Sequence, residues 1–89
     1  MLTLTKAAGA RLVEILAQEG LPAEVSIRLL PEEDGIGMQA DHERPGDATI
    51  EHDGRVVLLL DEQMAELLTN DTLDVEGSKL AITPAEGSD

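Results

Sequence analysis

Cysteine is absent from this chain of 89 residues. Without thiols the protein can form no disulfide, no thiolate metal site and no cysteine nucleophile. The absence is compatible with a reducing cytoplasm, but the redox argument for a compartment needs cysteines to act on. Three large classes of chemistry are therefore excluded before any residue that is present has been considered.

Aromatic residues are absent as well, since the chain contains no Phe, Tyr or Trp. The core must be built from Leu, Val, Ile, Ala and Met, which bury less area per residue than Phe or Trp. The hydrophobic fraction of 42% is ordinary for a folded chain. A small domain with such a core gains stability from a partner subunit, so a homo-oligomer is one expected state.

Basic residues are scarce: six Lys and Arg stand against nineteen Asp and Glu, for a net charge of -13. Such a chain repels the phosphates of nucleic acids and the surface of anionic membranes, so neither is an expected partner. A solvated acidic surface accounts for the charge by itself. Cation binding and a basic protein partner are the functional alternatives.

Long hydrophobic runs are also missing, and no stretch approaches the length of a membrane span. The opening residues, from Met1 to Lys6, lack the basic region and following apolar run of a signal peptide. We therefore expect a cytoplasmic protein with no membrane partner.

The first third of the chain predicts a short strand and then a helix. Residues 1–4 alternate between polar and apolar, and Thr5 is a helix N-cap. Gly20 and Pro22 end the helix. Gly9 lies inside it, which a close backbone approach to a sheet would explain. The apolar face of this helix consists of Ala8, Leu12, Ile15 and Leu16.

The middle of the chain predicts four strands, at residues 24–30, 38–43, 48–52 and 56–60. Residues 31–37 read as a glycine-containing loop between the first two strands. Asp53-Gly54 predicts a type I′ hairpin turn, because that turn needs a positive φ at both central positions. The run from Val56 to Leu60 is apolar without alternation, which predicts a central strand that is covered on both faces.

The last third predicts a second helix that Asp61 caps, followed by a hairpin of residues 72–75 and 79–82. The apolar stripe of this helix consists of Met64, Leu67 and Leu68. The order of elements predicts one α+β domain, over residues 1–84, of mostly antiparallel strands with two helices. Residues 85–89 are expected to form a mobile polar tail.

Six segments follow one another in a characteristic order and spacing: Leu2-Thr3-Leu4-Thr5, Val25-Ser26-Ile27-Arg28-Leu29, Gly37-Met38-Gln39, Glu51-His52-Asp53-Gly54, Val56-Val57-Leu58-Leu59-Leu60-Asp61 and Leu80-Ala81-Ile82-Thr83-Pro84. Together they resemble the A-type iron–sulfur carrier family, of the IscA or HesB type. The resemblance extends from Leu2 to about Pro84 and implies a small HesB-like domain related to iron–sulfur cluster assembly.

The resemblance also implies a ligand set that this chain does not have. Members of that family hold iron or a cluster on three cysteines, one in a Ser-Gly-Cys-Ser-Gly-Met loop and two in a Cys-Gly-Cys near the C-terminus. The loop pattern falls here on Glu33-Asp34-Gly35-Ile36-Gly37-Met38, so the ligand position is Gly35. Residues 85–89 contain no thiol either. Since thiolates hold nearly all iron–sulfur clusters, we expect a degenerate member with no cofactor.

Two sets of polar residues are candidates for a divalent metal such as iron. Glu32, Glu33 and Asp34 offer carboxylate oxygens on the glycine-containing loop. His42 and His52 flank the next turn and would form a nitrogen-based site if they paired across a hairpin. The alternative is that both sets are simply exposed to solvent. The three acids would then form a charged loop tip, and the two histidines would lie on a polar strand face.

No pattern of a catalytic site accompanies these residues. Ser26, Ser78 and Ser88 lack the surroundings of a nucleophile elbow, and Gly35-Ile36-Gly37 is too short for a phosphate-binding loop. We expect no enzyme. Three functions stay open, because one fold hosts many: a cluster-free member of the carrier family that acts through protein contacts, a carboxylate-based metal-binding protein, and an acidic adaptor for a basic partner.

Overall fold

The computed structural model describes residues 2–33, 35–77 and 79–84. Its elements are β1 Thr3–Leu4, α1 Lys6–Gln18, β2 Val25–Glu32, β3 Gly35–His42, β4 Ala48–His52, β5 Arg55–Leu60, α2 Glu62–Leu67, β6 Asp71–Glu76 and β7 Lys79–Pro84. The predicted order of elements and the α+β class are confirmed. Met1, Asp34, Ser78 and the predicted tail at 85–89 lie outside the described residues.

The strands form two sheets, of order β3-β2-β5-β4 and β1-β6-β7. Among the described pairings, β2 with β5 and β1 with β6 are parallel, and the other pairings are antiparallel. Both sheets are therefore mixed. As the apolar run predicted, β5 lies inside its sheet, and the residues from Val57 to Leu60 are fully buried.

Helix α1 connects the two sheets, because it packs against β6 of one and against β2, β4 and β5 of the other. It begins as predicted, with the Thr5 hydroxyl accepting a hydrogen bond from the Ala8 amide at 3.1 Å. It ends as predicted at Gly20, whose φ is 66°. Ala8, Leu12 and Leu16 are buried in the core.

Thr5 also ties the start of this helix to β6. Its hydroxyl donates to Oδ1 of Asp74 at 2.8 Å, and the same oxygen accepts a hydrogen bond from the Val75 amide at 2.7 Å. These bonds, the one from Val75 foremost, hold the pKa of the Asp74 carboxyl below its usual range. The N-cap is thus part of the tertiary structure and not only of the helix.

A glycine is needed at position 9 because a side chain, and not the backbone of a sheet, lies against the helix there. A Cβ at this position would overlap the imidazole ring of His52, which reaches the helix from β4. The His52 side chain is only 17% exposed in this position. The expectation of a close approach is correct, but its partner is the ring of a predicted metal ligand.

Helix α2 is shorter and buries a narrower face than its predicted stripe. Asp61 caps it, accepting a hydrogen bond from the Met64 amide at 2.8 Å. Met64 and Leu68 are buried, whereas Leu67 is 61% exposed, so the prediction was wrong at Leu67. Neither described helix is long and apolar enough to cross a membrane.

The predicted loop at residues 31–37 is instead the tip of a tight hairpin. Strand β2 continues through Pro31, which lies opposite Ile36, to Glu32, which lies opposite Gly35. Only residues 33 and 34 connect the two strands. Pro31 is tolerated in β2 because the recorded pairing with β5 covers Ile27 and Arg28 and so ends before it.

Replacing Gly9 by Ala should destabilise this fold, although the same change normally stabilises a helix interior by about 1 kcal/mol. The new methyl group must displace the half-buried imidazole of His52. We expect the free energy of unfolding in urea, followed by far-ultraviolet circular dichroism, to fall by about 1–3 kcal/mol.

The matched control combines Gly9→Ala with His52→Ala. Once the ring has been removed, the added methyl group should no longer destabilise the protein and should restore the normal preference for Ala in a helix. An equal loss from Gly9→Ala in both backgrounds would show that the ring is not the cause.

Candidate functional site

Gly35 lies at the mouth of an apolar cleft between the β2–β3 hairpin and the β6–β7 hairpin. The cleft has a volume of about 280 Å³. Its other lining residues are all apolar: Leu29, Ile36, Met38, Leu73, Leu80 and Ile82. The position where the resemblance implies an iron ligand therefore lies beside a cleft of hydrocarbon side chains and one thioether. We call this cavity the Gly35 cleft.

The backbone at Gly35 also disfavours any ligand side chain. Its φ is 135°, a region that residues with a Cβ rarely adopt. Space is not the obstacle, because no described heavy atom apart from its chain neighbours lies within 4 Å of where a Cβ would stand. Glycine here serves the geometry of the hairpin tip.

The Glu32 carboxylate at the hairpin tip does not point into the cleft. The Glu32 carboxylate lies against Gly37, whose missing side chain makes room for it. Gly37 is opposite Leu30 in the ladder, so Glu32 lies on the face of the hairpin that points away from Leu29 and the cleft. Glu33 is exposed in the turn. Asp34, the third predicted oxygen ligand, lies outside the described residues.

The two histidines do not meet, and the hairpin that was expected to bring them together does not exist. His42 on β3 lies opposite Val25, and His52 on β4 lies opposite Arg55. Since β2 and β5 separate β3 from β4, the two side chains belong to opposite edges of one sheet. Pairing of sequence neighbours was the natural expectation, but the connection at 43–47 crosses the sheet instead.

A metal centre receives no geometric support from the part of the chain that the structure describes. Within residues 2–33, 35–77 and 79–84, no three His, Cys, Asp or Glu side chains come together in a group that could hold a metal ion. His52 has its ring over Gly9, with Nε2 at 3.4 Å from the exposed Asp53. The carboxylate set that includes Asp34 stays a prediction.

The charged cluster that does form is centred on Arg28 of β2, which is not among the predicted site residues. Arg28 is 4% exposed. Its Nε donates to Asp41 at 2.7 Å, and its Nη1 and Nη2 donate to the two carboxylate oxygens of Asp47 at 3.1 and 2.6 Å. Nη2 also donates to the carbonyl oxygen of His42 at 3.1 Å. A lone arginine within an apolar strand was the signal that such partners exist.

These bonds define the electrostatics of the cluster. The hydrogen bond from Arg28 holds the pKa of both Asp47 and Asp41 below the usual range of a carboxyl group, and the two carboxylates raise the pKa of Arg28 in turn. Arg44 adds a bond from its amide to Asp47 and one from its side chain to Asp41. With its donors engaged by protein groups, Arg28 is a structural anchor and not a ligand-binding cation.

Replacing Asp47 by Asn should make the fold less stable at neutral pH and less sensitive to acid. Removing one partner of a buried ion pair costs about 3 kcal/mol or more. Because the pKa of Asp47 is lower in the folded protein than in the unfolded chain, its stabilisation is complete above about pH 4 and is lost as the pH falls through the folded value. Urea unfolding at several pH values measures both effects.

Asp53→Asn is the matched control, because the Asp53 side chain is 88% exposed and the chemical change is the same. It should leave the free energy of unfolding within about 0.5 kcal/mol of the parent. If Asp47→Asn were equally mild, or if it unfolded in acid as steeply as the parent, the Arg28 cluster would not carry the stability assigned to it.

Comparison with solved structures places this fold among proteins of iron–sulfur metabolism. SufA of Escherichia coli, which is involved in the biosynthesis of iron–sulfur clusters, superimposes with a TM-score of 0.64 at 26% sequence identity. The match covers 92% of this chain and 81% of SufA. The sequence matches no protein-family model and no curated protein.

A second structure, that of IscA with its [2Fe-2S] cluster, superimposes with a TM-score of 0.52 over the same shares of both chains. At 22% identity this likeness shows the fold alone. Both neighbours are A-type carriers, as the six sequence segments predicted. Over nearly its whole length, this cysteine-free chain has the fold of the A-type iron–sulfur carriers SufA and IscA.

Proposed function

We propose that this protein works in iron–sulfur cluster biogenesis through contacts with other proteins, without holding a cluster and without catalysing a reaction. One observation carries the proposal. The chain keeps the fold of SufA and IscA over 92% of its length, while the position that would supply the loop ligand is a glycine beside an apolar cleft.

The Gly35 cleft is chemically unsuited to a cluster. Iron–sulfur clusters need anionic thiolates, or histidine in part of their coordination, and a charged group without ligands is strongly disfavoured among hydrocarbon side chains. The residues that line the cleft offer no oxygen, nitrogen or thiolate side chain, and the one heteroatom is the thioether of Met38. The residues present therefore do not fit a cluster.

What the fold retains is surface that is suited to protein contacts. Met38 is 49% exposed at the edge of the Gly35 cleft, in a chain whose other described apolar side chains are mostly buried. Methionine adapts its shape to different partners, and exposed apolar surface of this kind is typical of interaction sites. A cytoplasmic protein that engages assembly proteins, alone or as a homo-oligomer, is consistent with these properties.

Anaerobic incubation with ferrous iron and sulfide tests the proposal. After desalting, the protein should retain neither iron nor sulfide and should show no visible absorption, because no thiolates are available. IscA treated in parallel is the positive control, since it is known with a [2Fe-2S] cluster. Retention of both elements in proportion to the protein would contradict the cluster-free function.

The second half of the experiment measures function. Cluster transfer from loaded IscA to an apo-ferredoxin is followed by circular dichroism in the visible range, with increasing amounts of this chain. We expect the transfer rate to change and then saturate as a complex forms. An unchanged rate, together with no detectable complex with IscA or the acceptor, would refute a role in this process.

A further inference from the structure

A second cleft lies on the other side of the hairpin tip, against α2. It has a volume of about 330 Å³ and is lined by Pro31, Gln63, Met64, Glu66 and Leu67. Its outer wall is Leu67, whose side chain is 61% exposed. Helix α2 thus presents to solvent an apolar residue that the core does not use.

The two clefts belong to one continuous surface. Pro31 lines the α2 cleft and Ile36 lines the Gly35 cleft. These two residues lie directly opposite each other in the β2–β3 ladder, so their side chains share one face of the hairpin. Met38 lies on the same face, two pairs further along the ladder. We define the hairpin groove as Leu67, Pro31, Ile36 and Met38.

Two exposed apolar residues lie at the ends of the hairpin groove. Leu67 and Met38 are the large hydrophobic side chains that are exposed in the part of the chain that the structure describes. Single apolar side chains that are scattered over a protein surface need no explanation. Here two exposed apolar side chains lie at the two ends of one groove with an apolar floor, and such a surface is typical of interfaces.

The rim of the groove carries charge of one sign. Glu66 lines the α2 cleft, Glu62 lies one helical turn before it, and Glu33 is exposed in the hairpin turn. Neither residues 29–40 nor residues 61–70 contain a Lys or Arg. The β6–β7 hairpin, which also lines the Gly35 cleft, carries Lys79. Lys79 lies opposite Glu76 at the end of that hairpin.

This charge decides between two occupants. In a two-fold symmetric contact each groove would meet its own copy, so the same carboxylates would face each other between subunits that each carry a charge of -13. A partner segment with Lys or Arg around apolar side chains matches the floor and the rim together. At this groove, a contact with a second copy of the chain is therefore unfavourable, and a contact with a basic partner segment is favourable.

We propose that the hairpin groove binds a basic amphipathic segment of a partner protein. Its apolar side chains enter the two clefts, and its Lys or Arg side chains meet Glu33, Glu62 and Glu66. This inference deepens the proposed function and rests on it, since it names the surface and the partner class that contacts in cluster assembly would use.

The test uses a synthetic helical peptide of Leu and Lys, with Leu on one face and a single Trp in that face. The protein contains no Trp, Tyr or Phe, so the peptide's emission is observed without background. We expect a saturable blue shift, weaker binding at high salt, and amide NMR shifts concentrated at residues 29–38 and 61–68. Two matched peptides, with Glu for Lys and with Ser for Leu, should not bind.

Protein variants locate the site. Leu67→Ser should weaken binding about tenfold, the equivalent of losing one apolar anchor. Glu66→Gln should weaken it about threefold, as expected for an exposed ion pair. Glu51→Gln, which removes an equally exposed carboxylate from β4 at the far edge of the sheet, is the control and should leave binding unchanged. Circular dichroism confirms that each variant is folded.

Four results would overturn the inference. Equal losses from Glu66→Gln and Glu51→Gln, or binding of the Ser-for-Leu peptide, would show diffuse electrostatic attraction. Amide shifts concentrated on α1 would place binding elsewhere. A dimer in sedimentation that Leu67→Ser dissociates would make the groove a self-contact.

The outcome is separable from that of the proposed function, because the peptide titration involves no iron, sulfide or assembly protein. Peptide binding at the groove, with an unchanged transfer rate and no complex with IscA or the acceptor, leaves the groove intact and refutes the role in biogenesis. An effect on transfer that survives Leu67→Ser and Glu66→Gln refutes the groove and leaves the role.

Discussion

The guanidinium of Arg28 imposes the strictest constraint on this fold. Arg28 lies at the centre of its sheet, opposite Gln39 of β3 on one side and Leu59 of β5 on the other. A buried cation there is tolerated only if its charge is matched and its N–H groups are bonded. Asp41 comes from the adjacent strand, and Asp47 comes from the connection that leaves it. Satisfying Arg28 therefore holds the connection at 43–47 against β2 and directs the chain across the sheet, to where β4 pairs with β5.

The hairpin that carries the candidate site begins where that anchored region ends. Beyond Arg28 the recorded pairing of β2 with β5 stops, and β2 continues with β3 alone through Pro31 and Glu32. A two-stranded ribbon is marginal by itself. This one has an apolar face, formed in part by Leu29 and Ile36, against the β6–β7 hairpin, and that contact creates the Gly35 cleft. The Arg28 cluster, the two-stranded part of the β2–β3 hairpin and the Gly35 cleft thus follow one another along β2. Their order depends on the buried charge of Arg28 and on the short parallel pairing of β2 with β5.

Because this protein has no thiols, the Gly35 cleft has no thiolate ligands to present. Gly35 begins β3 at the tip of the β2–β3 hairpin, and its φ of 135° disfavours a side chain there. The cleft beside it is lined by apolar side chains, which offer no thiolate to a cluster. An apolar floor with a carboxylate rim supports the proposed contact with a basic protein segment, because the strong negative charge disfavours an acidic partner.

Local patterns in the sequence determined the elements and their caps. The hydroxyl of Thr5 and the Asp53-Gly54 turn, with φ values of 55° and 81°, have the structures that were predicted, because each depends on residues close in the chain. The apolar run of β5 correctly predicted a buried strand. Beyond the β4–β5 and β6–β7 hairpins, only the tertiary structure decided which strands pair, and with that the separation of His42 from His52 and the burial of Arg28. The periodicity of a strand specifies which face of the sheet a residue occupies, but it does not specify which strand lies beside it. Strand pairing is decided by long-range packing and by the need to neutralise buried charge.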